Sequence, residues 1–417
     1  MPRVYVVGAF STAFGKRADD SLKDLTREAY TGVLADAGMD DGNDIDSAWF
    51  GNCGMWVDGQ GSIRGQVCLT PLIGEGRFPE RIPVTNVEAG CATASLAFTG
   101  AWKDIAAGIA DMSIAFGVEK TWYPEHAERT AAIFDGGIDR YDPEEWQQYY
   151  AEAGRNAGIR FEPGEDRTVF MDTYAMQAAY HMQRYGTTRE QIAAGAAKNH
   201  TIAQYNPRAQ YRFPLTVEEV LNDRPVSWPL TRAMCAPIGD GAAAALLVSE
   251  RRLKKLPNAT RERAVLVAGF GQSGGKYRAL DEDGLSKLAA ERAYAMAGVG
   301  PDDIDVAEVH DATSFSEIYQ AEMLGFCKRG EGGPFVADGA TSLDGNIPIN
   351  TSGGLVSKGH PVGATGLSMI GELTEQLRGE AGERQVKDAR IALAENGGGV
   401  IGFDEAACSV VVLRAPL

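Results

Sequence analysis

The sequence has no run near the ~18 apolar residues that cross a bilayer as a helix, which excludes a helical membrane protein. It is poor in cysteine. Six thiols in 417 residues, at positions 53, 68, 91, 235, 327 and 408, include no Cys-x-x-Cys pair. That excludes a disulfide framework and predicts free thiols in a reducing, cytoplasmic compartment. The five histidines (126, 181, 200, 310 and 360) show no zinc-type spacing, so no metal site is expected. Positive charge is also short: 40 Lys and Arg against 57 Asp and Glu leave a net charge of −17. A general nucleic-acid binder needs a basic footprint, and an anionic membrane attracts one, so both are excluded. The opening Met1-Pro2-Arg3-Val4-Tyr5-Val6-Val7-Gly8 reads as a strand running into a turn, without the charged start, apolar stretch and cleavage site of a leader.

What is present is a repeat. Val4-Tyr5-Val6-Val7-Gly8 is echoed by Val265-Leu266-Val267-Ala268-Gly269, each an apolar strand ending in glycine. The amphipathic stretch Leu22 to Gly38 is echoed by Leu285 to Gly298, both helices stopped by glycine. Asp44-Ile45-Asp46 matches Asp303-Ile304-Asp305, and Ile82 to Asn86 matches Ile347 to Asn350. Spacings of 261, 259 and 265 residues for Val4, Asp44 and Ile82 are too regular for chance. Ile114 to Glu119 further matches Ile391 to Glu395, and Asp240-Gly241-Ala242-Ala243 matches Asp404-Glu405-Ala406-Ala407. The last pair is only 164 residues apart, so the first copy carries roughly 100 extra residues between Glu119 and about Cys235. The expected organisation is a first half over 1–250, with an insertion at about 120–235, and a second half over 261–417. Strands alternating with helices predict an α/β fold of two similar βαβαβ halves, with mixed sheets covered on both faces.

The copies differ where chemistry is expected. Cys91 follows the strand Ile82–Val87 and the turn Glu88-Ala89-Gly90, and precedes a stretch whose only charges are Lys103 and Asp104. A helix apolar nearly all round is buried. Cys91 is therefore expected at the start of a central helix, where free amides and the positive dipole end favour negative charge at its sulfur or at a bound oxyanion. In the other copy the corresponding turn runs to Gly359-His360-Pro361, with Pro361 suited to a first helical position. A cysteine opposite a histidine is a nucleophile opposite its base. His310 ends the strand Val306–Val309, where open sheets place their sites; the competing reading is a helix cap. Glu395-Asn396-Gly397-Gly398-Gly399 ends another strand, and its glycines permit close backbone approach.

Two motifs mislead. Gly271-Gln272-Ser273-Gly274-Gly275 fits a serine hydrolase elbow, and Gly269, Gly271 and Gly274 fit a dinucleotide loop. Both need a helix to start at once, but the polar loop Lys276 to Gly284 intervenes.

These residues resemble the thiolase superfamily, most nearly the sterol-carrier-protein-type thiolases and archaeal acetyl-CoA acetyltransferases. The carriers are Glu88-Ala89-Gly90-Cys91-Ala92, Asp240-Gly241-Ala242-Ala243, His310-Asp311-Ala312 and Gly359-His360-Pro361-Val362-Gly363-Ala364-Thr365-Gly366. Asn199-His200, Asn206-Pro207 and Pro229-Leu230 resemble the family's loop domain. The resemblance implies a duplicated five-layered fold, and an acyltransferase that carries the acyl group of coenzyme A on Cys91. His360 would be the base and one oxyanion donor, and His310 the second. The amides of Cys91 and Gly397 would form an oxyanion hole, with Asn350 at a substrate-binding position. A coenzyme A thioester is the expected substrate, with no tightly bound cofactor and no metal. The insertion would bind coenzyme A. Between 198 and 232, five cations (Lys198, Arg208, Arg212, Arg224, Arg232) outnumber Glu218, Glu219 and Asp223, which suits phosphates. A homodimer or homotetramer is implied. The chain departs from the pattern at the second acid/base, usually a cysteine: the two positions that carry it hold Glu395 and Ala312. Glu395 is the expected substitute, since a buried carboxyl with a raised pKa can move protons. The alternative is an acyl-CoA-binding subunit, or a retro-aldolase-type enzyme, working with a small OB-fold or zinc-ribbon partner.

Overall fold

Val4–Ser11 and Val265–Gly274 head the two halves, and their apolar, β-branched runs become neighbouring strands. The computed structural model describes residues 2–416. The first half runs β1 (Val4–Ser11), α1 (Leu22–Ala37), β2 (Ser47–Gly51), α2 (Arg64–Gly74), β3 (Val84–Val87), α3 (Thr93–Ala106) and β4 (Met112–Glu119). The insertion holds α4 (Ala127–Asp135), α5 (Glu145–Ala157), α6 (Val169–Tyr185), α7 (Arg189–Ala203), α8 (Val217–Leu221) and a hairpin of β5 (Pro225–Ser227) and β6 (Leu230–Thr231). β7 (Gly241–Ser249) completes the half, and α9 (Glu250–Leu253) and α10 (Asn258–Glu262) lead onward. The second half runs β8 (Val265–Gly274), α11 (Leu285–Ala297), β9 (Val306–Glu308), α12 (Ser314–Met323), α13 (Gly332–Ala337), α14 (Gly354–Lys358), α15 (Thr365–Arg378), β10 (Ile391–Gly398) and β11 (Ala407–Arg414).

Apart from the β5–β6 hairpin, the described strands form one sheet in the order β3-β2-β4-β7-β1-β8-β11-β10-β9. Its halves join through β1 and β8, antiparallel, where Tyr5 faces Leu266 and Val6 faces Val265. Tyr5 and Leu266 hold the same position in the repeat, so a local two-fold passes between them. Ile349 bridges to Ala307 beyond β9, standing where β3 stands in the first half. The helix stops are those expected: α1 ends at Gly38 (φ 66°) and α11 at Gly298 (φ 68°), left-handed conformations that glycine adopts without strain. Asp46 accepts from the amides of Asp111 and Met112, and Asp305 accepts from those of Arg390 and Ile391. These matched bonds put the repeat two residues out of step with the sequence echo in β4 and β10. A slip of two leaves every side chain on its expected face, so the hydrophobic pattern cannot reveal it.

The core lies between the sheet halves. α3 packs on first-half strands, α15 touches strands of both, and the two helices touch each other. Phe98, Ala101, Leu367, Ile370 and Leu373 fill this layer. α1 and α2 cover the first half outside, and α11 covers the second. The result is five layers, helix–sheet–helix–sheet–helix. The insertion has its own core of Trp146, Tyr150, Phe170, Met176 and Ile192, which continues into Phe315 and Ile318 of α12.

Candidate active site

Cys91 stands at the entrance to α3, in a tight turn. Ala92 N–H donates to the Ala89 carbonyl and Thr93 N–H to that of Gly90, each at 3.1 Å, and Ala89 N–H donates to Thr93 Oγ1 at 2.7 Å. Gly90 has φ +54°, and a Cβ there would lie 2.5 Å from Gly399 N. A Cβ on Gly398 would lie 2.2 to 2.6 Å from Ala92 N, Ala89 O and Cys91 N. Gly398 and Gly399 thus let the second half reach the cysteine turn backbone to backbone. The sulfur is buried but reachable, with Cys91 7% exposed.

His360 meets it from the other half, with Nε2 3.0 Å from Cys91 Sγ. Thr365 Oγ1 donates to the Pro361 carbonyl at 3.0 Å, so its oxygen accepts from His360 Nδ1–H at 2.7 Å. That chain fixes the tautomer: Nε2 carries the lone pair and faces the thiol. Burial, then the charges of His310 and Lys358, push the His360 pKa well below its ordinary value, so the ring is neutral. Glu119, at the end of β4, fastens this loop by accepting from the Gly363 and Cys53 amides at 3.0 and 2.9 Å. Pro361 is not the first residue of a helix: it opens a turn closed by Ala364 N–H on its carbonyl at 2.8 Å, and α15 starts four residues later at Thr365.

His310 lies just beyond β9, buried at 1% exposure, and caps nothing; Thr313 precedes α12. One ring nitrogen is within 4.8 Å of Cys91 Sγ and of His360, and the two imidazoles meet edge to face, with centroids 5.2 Å apart. Its Nδ1 is 3.5 Å from Glu405 Oε1. Burial works against its charge, but Cys91 and Glu405 outweigh it and push its pKa well above the ordinary value. Glu395 sits beneath it, wholly buried. Glu395 Oε2 accepts from His310 N–H at 3.0 Å, and Oε1 accepts from the Cys408 thiol at 3.4 Å. Burial, then Glu405, raise its pKa to about 8. Asn350 is also wholly buried, and its Oδ1 accepts from Val309 N–H at 2.9 Å, which holds the strand end before His310 rather than reaching the cavity. Gly397 lies in β10 opposite Cys408, and a Cβ there would meet the Glu405 carboxyl at 2.0 Å.

Cys91 and His360 open on a cavity of about 810 Å³. Its walls are apolar: Trp56, Ile133 and Phe134 of α4, Phe170, Met171 and Tyr174 of α6, and Val400. The near side of the insertion therefore lines the cavity, while its far side clasps the second half. Asn199 Nδ2 donates to Asp311 at 2.9 Å and Asn206 Nδ2 to the Ser352 carbonyl at 2.8 Å; His200 Nδ1 lies 3.2 Å from Ser357 Oγ. Three of the five cations counted there are paired, Lys198 with Glu317 and Arg208 with Glu375 within the fold, and Arg232 with Asp223 at the surface. Arg212 and Arg224 stay exposed. Ser273 lies within β8 and donates to the Leu285 carbonyl at 2.7 Å, and no helix follows it directly in the chain, α11 starting only at Leu285. Sequence reasoning missed Glu119, Tyr174 and Glu405. For Glu405 there was a signal, a charge standing opposite Gly241 in the repeat.

The chain matches the family model described as "Thiolase, N-terminal domain" over residues 4–223, and "Thiolase C-terminal domain-like" over 284–412. It is 38% identical to an acetyl-CoA acetyltransferase of Methanothermobacter thermautotrophicus, covering 96% of this chain and 98% of that one. It is 34% identical to sterol carrier protein 2 of Oryctolagus cuniculus, covering 98% of this chain and 74% of that one. Among solved structures it resembles the Ltp2-ChsH2(DUF35) aldolase with a TM-score of 0.76 and 25% identity, covering 99% of this chain and 98% of that one.

Proposed function

The chain belongs to the thiolase family and is a thiolase-like acyltransferase, and from that premise we propose that it transfers the acyl group of a coenzyme A thioester through Cys91. The observation that carries this is the 3.0 Å contact between Cys91 Sγ and the lone-pair nitrogen of His360. The thiol proton passes to Nε2, and the sulfur attacks the thioester carbonyl. The coenzyme A thiolate leaves and takes the proton back, and an acyl group remains on Cys91. The amides of Cys91 and Gly397 face the oxyanion of this step, and His310 the oxyanion of the second thioester. Coenzyme A lies along the insertion, with Arg212 and Arg224 as its exposed cations. Glu395 and Asn350 act on His310 from below, through the backbone bonds they accept.

Intact-protein mass spectrometry with acetyl-CoA tests the assignment. Wild type is expected to gain one acyl group, and Cys91→Ala or Cys91→Ser to gain none. Label that survives Cys91→Ala refutes it.

A homo-oligomer fits the sheet, because β3 is a half-exposed edge strand with no further strand beside it among the described residues. The six free thiols fit a reducing cytoplasm. Among the described residues no helix is long and apolar enough to cross a membrane. A second reading, thioester chemistry completed by a small partner protein, is favoured by the likeness to an aldolase whose title pairs it with a DUF35 protein. A purified chain that is inert alone and active with such a partner would support it. Turnover of acetoacetyl-CoA and free coenzyme A by the chain alone would count against it.

A further inference from the structure

Joining or cleaving a carbon–carbon bond between two thioesters needs more than a nucleophile and its base. The α-carbon must lose or regain a proton, and its carbonyl oxygen must be held as an enolate. His360 is committed to sulfur on one nitrogen and to Thr365 on the other. A second base has to come from the groups around the cluster. Glu395 has one oxygen on an amide and the other on a thiol, and is wholly buried. Cys408 lies behind it at 0% exposure. The Cys53 thiol is turned to the Gly90 carbonyl and Thr93. Glu88 lines the cavity, but its carboxylate is paired with the Arg64 guanidinium at 2.6 Å and is largely open to solvent.

Glu405 differs from all of these. Its side chain is 14% exposed, and its one charged contact is His310 Nδ1 at 3.5 Å. Among the described residues no donor hydrogen-bonds to its carboxylate. The carboxyl fills the space beside Gly397 that a side chain there would take. Tyr174 and Val400 border both the Cys91 cavity and the small cleft that holds Glu405. Its neighbour Glu395 offers a carboxylate oxygen within 4.8 Å of one of its own. Burial, then the Glu405 charge, push the Glu395 carboxyl up to about 8, so this enclosed group keeps its proton at neutral pH.

We propose that Glu405 is the second acid/base, a catalytic residue that takes the α-proton of the incoming thioester while His310 holds the enolate oxygen. The inference rests on the acyl-Cys91 reading above. In the forward direction the α C–H bond breaks, the proton goes to the Glu405 carboxylate and the electron pair moves to the carbonyl oxygen. The enolate carbon then bonds to the acyl carbon on Cys91, whose sulfur leaves with the bonding pair. The proton on Glu405 passes to that thiolate, directly or through solvent, restoring the carboxylate and the thiol. In reverse, Glu405 returns the proton to the enolate carbon.

The test measures two rates on each full-length protein: acylation of Cys91 by acetyl-CoA, and exchange of the acetyl-CoA methyl hydrogens with deuterated water, read by mass spectrometry. Glu405→Gln is expected to lower exchange at least 100-fold more than it lowers acylation, within the ~10²–10⁴ range of general acid–base catalysis. Glu405→Asp, which keeps the carboxylate on a shorter arm, is expected to restore part of the exchange. Wild type that acylates without exchanging, or Glu405→Gln that lowers both rates in proportion, overturns the proposal. Wild type that is not acylated at Cys91 overturns the acyl-enzyme reading instead.

Discussion

At the scale of single residues, the reactivity proposed for Cys91 depends on a proton placed two hydrogen bonds away from the sulfur. Thr365 donates to Pro361 and so must accept from His360 Nδ1, which leaves Nε2 free to accept the thiol proton. Thr365→Val keeps the shape and removes both bonds. Nδ1 then loses its buried partner, worth about 1–3 kcal/mol. Acylation of Cys91 is expected to slow about 10- to 100-fold, with Thr365→Ser near wild type. Stopped-flow release of coenzyme A in a single turnover checks this. If Thr365→Val acylates as fast as wild type, the tautomer is set by something else. That Cys91, His310 and His360 meet was legible in the sequence, because the cysteine and both histidines stand beside glycine turns or at strand ends, where backbone amides are free. Thr365 was visible only as part of a motif, since its role lies in the direction of one hydroxyl, which no spacing encodes. Glu405 was absorbed into a strand match, because the repeat explained its neighbours too well.

At the scale of elements, the site is made where strand ends and helix starts of opposite halves touch. β10 delivers Gly398 against the turn before α3, and a Cβ there would strike three backbone atoms that cannot move aside. The same strand carries Glu395 into full burial under His310. Its pKa is raised to about 8, so the folded protein holds a proton that the unfolded chain releases near the usual carboxyl value. The sign follows: the folded state binds the extra proton between about pH 4.3 and about 8, so rising pH costs stability across that window and no more above it. Glu395→Gln carries no such proton and keeps an oxygen for the His310 amide. Its stability relative to wild type is expected to climb from pH 5 to pH 8 and then level, by an amount on the order of 3–4 kcal/mol, with the melting temperature rising in step. Thermal scans in a pH series read this directly, and a constant difference would show that Glu395 is ionised in the folded protein. Elements were the most legible scale in the sequence. The glycine stops of α1 and α11 and the unbroken apolar face of α3 fall where periodicity puts them. The two-residue slip between β4 and β10 and the late start of α15 were not legible. A strand shifted by two shows the same faces, and a proline suits a turn as well as a first helical position.

At the scale of the molecule, the insertion is the part the sequence described least well. Its net positive count suggested a phosphate-binding face, yet Lys198 is turned inward. Lys198 Nζ pairs with the buried Glu317 at 2.7 Å and donates to the Ile349 carbonyl at 2.5 Å, beside Asn350, which in turn holds Val309 ahead of His310. Charge counted along a chain cannot distinguish a cation facing solvent from one that straps two units together. The strap has a consequence for how the whole chain unfolds. α7 packs on α12, α13 and α14, and the core of the insertion runs into α12, so the insertion and second half should melt together. Lys198→Met fills similar volume and removes the charge, leaving Glu317 buried at 0% exposure with only neutral donors. Breaking a buried pair from one side costs about 3–5 kcal/mol. Urea unfolding of Lys198→Met is expected to show that loss, and Lys198→Met with Glu317→Gln to recover part of it, because the second change removes the stranded charge. The double variant should also regain acylation of Cys91, since the Ile349–Asn350 segment no longer sits beside an uncompensated carboxylate. If the single variant unfolds at the wild-type midpoint, Lys198 is not holding the insertion to the second half, and its charge is free to serve a ligand after all.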